Sequence, residues 1–164
     1  MLTGRAFKFG DNISTDHITP GRLAQLRSNL PELAKHVLED ADPTFASRVK
    51  AGDFIVAGSN FGLGSSREHA PLVIKTAGVR AILAKSVARI FFRNAINLGL
   101  PVLICDTALI SDGDELEVDL KAGTVRDITN GNQLTFSQIP EVMLHILDKG
   151  GLIPYIQKYG DFRL

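Results

Sequence analysis

Three short apolar runs set the strongest limits on the fold: FIVA at 54–57, VRAILA at 79–84, broken only by Arg80, and VLI at 102–104. Each has the length of a buried strand, and helical periodicity fills the gaps between them. Ala70, Val73, Ile74 and Ala77 recur as one helical stripe, with Ser65 or Ser66 as its cap and Pro71 inside its first turn. Ser86 is the expected cap of a second helix running through Asn97 and ended by Gly99. Strand, helix, strand, helix, strand predicts a parallel sheet with right-handed crossovers, and strands covered on both faces read as continuous apolar runs.

The flanks extend this core. Residues 6–9 form a short strand candidate, followed by a polar loop over 10–21. With Ser28 or Asn29 as cap and Pro31 in the first turn, Leu30, Ala34, Val37 and Leu38 recur at helical spacing. Beyond 104 the pattern changes: 115–120 and 124–128 alternate about Ala122 and Gly123, which predicts an antiparallel pair. Residues 134–136 add an edge, and a last helix over 140–149 turns Val142, Met143, Ile146 and Leu147 inward and stops at Gly150 and Gly151. The chain reads as a single domain over 1–164, long enough to bury roughly two thirds of its unfolded surface.

Composition narrows the function classes. Eighteen basic and eighteen acidic side chains cancel, and the basic ones are scattered, so there is no electrostatic footprint for nucleic acid or an anionic membrane. No apolar run approaches a bilayer span, and the amino terminus lacks a signal-peptide core, so a cytoplasmic protein is expected. The lone Cys105, within PVLIC, reads as a buried small side chain; one cysteine can neither close an internal disulfide nor hold a cluster.

The segment GSNFGLGSSREH at 58–69 points to a site. Gly58, Gly62 and Gly64 permit backbone geometries that side chains obstruct, and the following helix offers unpaired N–H groups to a carboxylate or phosphate. Ser65, Ser66 and Arg67 add two hydroxyls and a planar cationic fork. The glycines alone would suit any strand-to-helix turn; the crowding of serine and arginine favours an active site. The spacing does not fit a dinucleotide fingerprint, no lysine stands where a phosphate-binding loop needs one, and the elbow of a serine hydrolase is missing. A second polar cluster, Asp11, Asn12, Ser14, Thr15, Asp16, His17 and Thr19, suits acid–base work but matches no metal signature, and an Asx turn would use the same residues.

The segments DNISTDHITPG (11–21), GSNFGLGSSREHAP (58–71) and AKSVARIFFRNAINLGLP (84–101) resemble the small subunits of 3-isopropylmalate dehydratase, the detached swivel domain of the aconitase superfamily. The resemblance spans nearly the whole chain, and GSSRE with a downstream SxARIFxRNxxNxGL is specific to that superfamily. It implies an α/β fold of the aconitase-type swivelling β/β/α kind, with a mostly parallel central sheet and an antiparallel C-terminal portion. It also implies half of a hydro-lyase, whose [4Fe-4S] cluster sits on a cysteine-bearing large subunit in a heterodimer or heterotetramer. No metal is assigned to this chain.

Position by position, Ser65 resembles the catalytic serine whose alkoxide removes a carbon-bound proton, and Ser66 and Arg67 resemble contacts to a substrate carboxylate. Thr15 and Asp16 are similar to a pair reaching the substrate oxygens and cluster, with Asp16 on the catalytic side; Thr19 falls where relatives carry a serine or another small residue. The cluster iron would act as Lewis acid on the departing hydroxyl. Where relatives show YLR, this chain reads RLAQLR at 22–27, so Arg22 or Arg27 is expected to clasp the distal carboxylate and Leu23 or Leu26 to face a branched alkyl group. The loop 21–30 is expected to stay mobile until the large subunit closes over it. The implied substrate is a small branched hydroxydiacid, isopropylmalate in leucine biosynthesis. Homoaconitate, citramalate or methylmalate, and 2,3-dimethylmalate are the alternatives, and a regulatory or RNA-binding swivel domain is the non-enzymatic one.

Overall fold

The computed structural model describes residues 1–65 and 67–160. Seven strands form one mixed sheet: β1 (Leu2–Lys8), β2 (Phe54–Ala57), β3 (Ala81–Ala84), β4 (Val102–Ile104), β5 (Glu115–Asp119), β6 (Thr124–Asp127) and β7 (Gln133–Thr135). Their spatial order is β4-β3-β2-β1-β5-β6-β7. The β1, β2, β3 and β4 neighbours pair in parallel, Ala6 opposite Phe54 and Ile55 opposite Ile82. From β1 onward the other way, pairing is antiparallel, Gly4 opposite Leu116 and Val118 opposite Val125. β1 is therefore the seam: it offers one edge to each half.

The alternation of side chains explains why both faces must be covered. Ile55, Ala57, Ile82 and Ala84 join one core with Phe7, Phe45, Val73, Ile74 and Phe91. Their neighbours in sequence, Phe54, Val56, Ala81 and Leu83, join the other with Leu116, Val118, Val125 and Phe136. The antiparallel half thus curls over the back of the parallel half, and every residue of β2 and β3 is buried.

Seven helices complete the described chain: α1 (Thr15–Ile18), α2 (Leu30–Ala34), α3 (Phe45–Arg48), α4 (His69–Thr76), α5 (Arg89–Asn97), α6 (Glu141–Asp148) and α7 (Leu152–Tyr159). Asn29 caps α2 as expected, its Oδ1 accepting from Glu32 N. That helix stops at Ala34, however; Leu38 has φ +57°, and Val37 and Leu38 reach the core from a turn. Neither serine cap is found where expected. The position before α4 is Glu68, without a side-chain cap, and the one before α5 is Ala88. Ser86 Oγ instead accepts from Asn60 N in the adjoining loop. The expected last helix is α6; Gly150 and Gly151, both at positive φ, turn the chain into α7, whose Tyr155 is buried. No described helix is long and apolar enough to cross a membrane.

Candidate functional site

Three loops leave the carboxyl ends of β1, β2 and β3, where parallel sheets characteristically bind ligands. Backbone hydrogen bonds tie them together in the strand order. Asn12 N donates to Ser59 O at 2.9 Å, Gly62 N to Ile13 O at 2.7 Å and Thr15 N to Leu63 O at 2.8 Å. On the other side Phe61 N donates to Ser86 O and Ala88 N to Phe61 O. Residues distant in sequence are thus fixed side by side without regular secondary structure.

Glycine is required at two points of the middle loop. Gly62 has φ +80°, and a Cβ there would lie 2.4 Å from the Phe91 ring. Gly64 has φ +107° and faces Thr15 Oγ1. The turn does not open directly into a helix as expected: Ser65 lies in a bend, and α4 begins only at His69. Its N-terminus is therefore not built onto Ser65, and the local positive charge comes from Arg67.

Arg67 organises the centre. Its Nε donates to Ser65 Oγ at 3.2 Å, and its Nη1 donates to Thr19 O at 2.8 Å and Asp16 Oδ1 at 3.2 Å. Asp16 Oδ1 also accepts from Gly21 N. The carboxylate thus orients the guanidinium while remaining largely open to solvent itself. Thr15 and Thr19 are buried. The Thr15 hydroxyl donates to Ser65 O and the Thr19 hydroxyl to Thr15 O, so both hydroxyl protons serve the scaffold. His17 is a capping partner: Ser14 N donates to its Nδ1 and Ser14 Oγ accepts from His17 N.

A cleft of about 330 Å³ is lined by Ser65, Arg67, Thr15, Ile90, Phe91 and Asn94, among others. An adjoining hollow of about 460 Å³ shares Arg67, Ile90 and Asn94 and adds Arg27, Glu68 and His69. The two candidate specificity arginines separate clearly. Arg22 is bound by Asp40 at 2.7 Å and Glu39 at 2.6 Å; those hydrogen bonds raise its pKa and lower that of Asp40. The Arg27 side chain has no hydrogen-bond or ion-pair partner among the described residues and lies in the hollow beside Arg67. The segment expected as a loop is 3-10 helix over Gly21–Leu26, and its Leu23 and Leu26 pack against the core rather than facing the cleft. Ser66 lies outside the described residues. Asn94 and Ile90 were not among the sequence candidates, although both stand in the SxARIFxRN run.

A larger hollow, about 670 Å³, lies at the opposite, amino ends of the parallel strands, near Leu2, Arg80 and Pro101. It carries no hydroxyl nucleophile, and its Lys75 Nζ is taken by Leu98 O. Among the described residues no three His, Cys, Asp or Glu side chains converge to hold a metal ion. Cys105 is buried, and burial followed by the nearby charge of Asp106 pushes its thiol up to about 11, so this chain's own donors do not fit a cubane cluster.

Comparisons with known proteins agree on one lineage. The Aconitase C-terminal domain family matches residues 16–106. A 3-isopropylmalate dehydratase small subunit 2 of Archaeoglobus fulgidus is 65% identical, covering 99% of both chains. A small subunit 1 of Thermotoga maritima is 58% identical over 99% of this chain and 98% of its own. An isopropylmalate/citramalate isomerase small subunit of Methanocaldococcus jannaschii is 49% identical, covering 96% and 95%. The crystal structure of a 3-isopropylmalate dehydratase from M. jannaschii superposes with a TM-score of 0.93 at 43% identity, covering 97% of this chain and 95% of that one.

Proposed function

Because the chain belongs to the 3-isopropylmalate dehydratase small subunits of the aconitase superfamily, we propose that it supplies the base and carboxylate contacts for isomerising isopropylmalate by dehydration and rehydration, as in leucine biosynthesis. The observation that carries this reading is the contact between Arg67 Nε and Ser65 Oγ inside the cleft. A serine hydroxyl is a poor base near its ordinary pKa; a guanidinium N–H donated to its oxygen favours the alkoxide. Ser65 removes the carbon-bound proton and returns it on rehydration. Arg67 Nη1 is held by Thr19 O and Asp16, which leaves Nη2 for a substrate carboxylate, and the unpaired Arg27 takes the second. Ser66 remains a proposed carboxylate contact by resemblance alone.

The proposed partner is a cysteine-bearing large subunit whose [4Fe-4S] cluster supplies a Lewis acid to the departing hydroxyl. A cytoplasmic setting belongs to the same proposal, since the free Cys105 thiol suits a reducing compartment. The relative named isopropylmalate/citramalate isomerase supports a second reading, in which a methyl-branched diacid is also turned over.

The test is to reconstitute the purified chain with a cluster-loaded large subunit and assay isopropylmalate, citramalate, homoaconitate and 2,3-dimethylmalate. Isopropylmalate is expected to give the highest kcat/KM. Ser65→Ala should lower kcat by about 10²–10⁴ while KM moves little, as expected of a lost general base. Arg27→Lys should lower kcat/KM, and Arg22→Lys should leave it near wild type. Near-normal kcat in the Ser65→Ala pair with an intact cluster would remove Ser65 as the base.

A further inference from the structure

We infer that Ile90, on the first turn of α5, is the side chain that reads the alkyl branch of the substrate; the inference rests on the functional reading above. A branched hydroxydiacid needs cationic or polar partners for its carboxylates and an apolar wall for its branch. The expected wall, Leu23 and Leu26, packs partly buried against the core and lines neither part of the cleft. Three side chains line both parts of the cleft, Arg67, Ile90 and Asn94, and Ile90 alone of these is apolar.

Its exposure sets it apart. Ile90 is 54% exposed, whereas Phe91 beside it is 3% exposed and packs edge-on against Phe61 at 5.4 Å. Covering an exposed isoleucine removes apolar surface from water and so favours an apolar group that packs on it. The other large apolar side chains exposed among the described residues, such as Leu109, Ile128 and Ile153, line neither part. Position is also well defined: Ala88 N donates to Phe61 O, and the Phe61–Phe91 contact locks the turn that presents Ile90 next to Arg67. A rigid β-branched group beside a guanidinium suits an alkyl branch attached close to a carboxylate.

The discriminating measurement is kcat/KM of the reconstituted pair on isopropylmalate and on citramalate, which differ in branch size. Ile90→Ala should lower kcat/KM for isopropylmalate by about ten-fold or more, and for citramalate by less than about three-fold. Ile90→Val, a milder truncation that keeps the branched shape, should shift the ratio in the same direction by less. Thermal unfolding and the affinity for the large subunit should stay at wild-type values in both. A wild-type pair active on both diacids, with the ratio unmoved in both variants, overturns the inference alone. Weakened subunit affinity with an unmoved ratio also overturns it, and makes Ile90 a subunit contact. A wild-type pair that turns over neither diacid overturns the functional reading and this inference together.

Discussion

At the scale of single residues, charge placement separates the site from the scaffold. Arg22, Glu39 and Asp40 form an exposed ion-pair cluster, whereas Arg67 is bound to a backbone carbonyl, a carboxylate and a serine in one fork. A lysine would have to reach all three acceptors from a single nitrogen, whereas the planar guanidinium reaches them from Nε and Nη1. The buried side-chain oxygen left without a partner among the described residues lies elsewhere. Asp127 is fully buried; its Oδ1 accepts from Thr129 N and Asn130 N, but its Oδ2 meets no donor among the described residues. Burial, and then the neighbouring Asp114 carboxyl, raise its pKa above the ordinary 3.8. The stability tied to the neutral form is therefore complete below that ordinary value and is lost as pH rises through the raised one. Asp127→Asn keeps the acceptor and supplies a donor toward Asp114, so it should stabilise the chain at pH 7.5 by about 1 kcal/mol. The stability difference between mutant and wild type, from urea midpoints, should shrink as pH falls toward 4; a difference constant with pH would show that the Asp127 pKa is the same in the folded and unfolded chain.

At the scale of elements, the short strands and the Gly-rich turn carried their signals locally, and the caps did not. The β2 and β3 runs were legible because burial on both faces leaves no polar position. Ser65 and Ser86 stand before α4 and α5 without capping them, because their hydroxyls are taken elsewhere: Ser65 Oγ accepts from Arg67 Nε and Ser86 Oγ from Asn60 N. α3 and α7 leave little trace in the sequence, α3 because it is a single turn and α7 because Pro154 interrupts its pattern. The glycines can be ranked by what surrounds them. Gly62→Ala combines positive φ with a clash against Phe91 and should cost about 2 kcal/mol or more, a fall in Tm of roughly 4–8 °C, with activity lost as the α5 turn shifts. Gly113→Ala, at φ +88° with nothing within 4 Å, should show only the smaller backbone penalty and normal activity. Equal Tm values for the two would mean that the Phe91 contact is not constraining.

At the scale of the whole molecule, β1 joins a parallel and an antiparallel half into one sheet, and the second core couples them across its back. Cys105 sits in that core, with its thiol pushed up to about 11. At pH 8 it should react with a disulfide reagent about two orders of magnitude more slowly than an exposed thiol. Labelling should be complete only through the urea transition seen by circular dichroism, because the halves unfold together; a labelling midpoint well below that transition would show that they separate. The α/β class, the parallel core, the antiparallel pair and the candidacy of the Gly-rich segment with Ser65 and Arg67 were all readable in the chain, because hydrophobic periodicity and turn chemistry are local. Only the tertiary structure decided which arginine faces the cleft, that Leu23 and Leu26 turn away from it, and that Ile90 lines it. Those outcomes depend on the lacing of three loops that are distant in sequence, and on the ion pairs and core contacts that claim one of two chemically equivalent side chains and leave the other free.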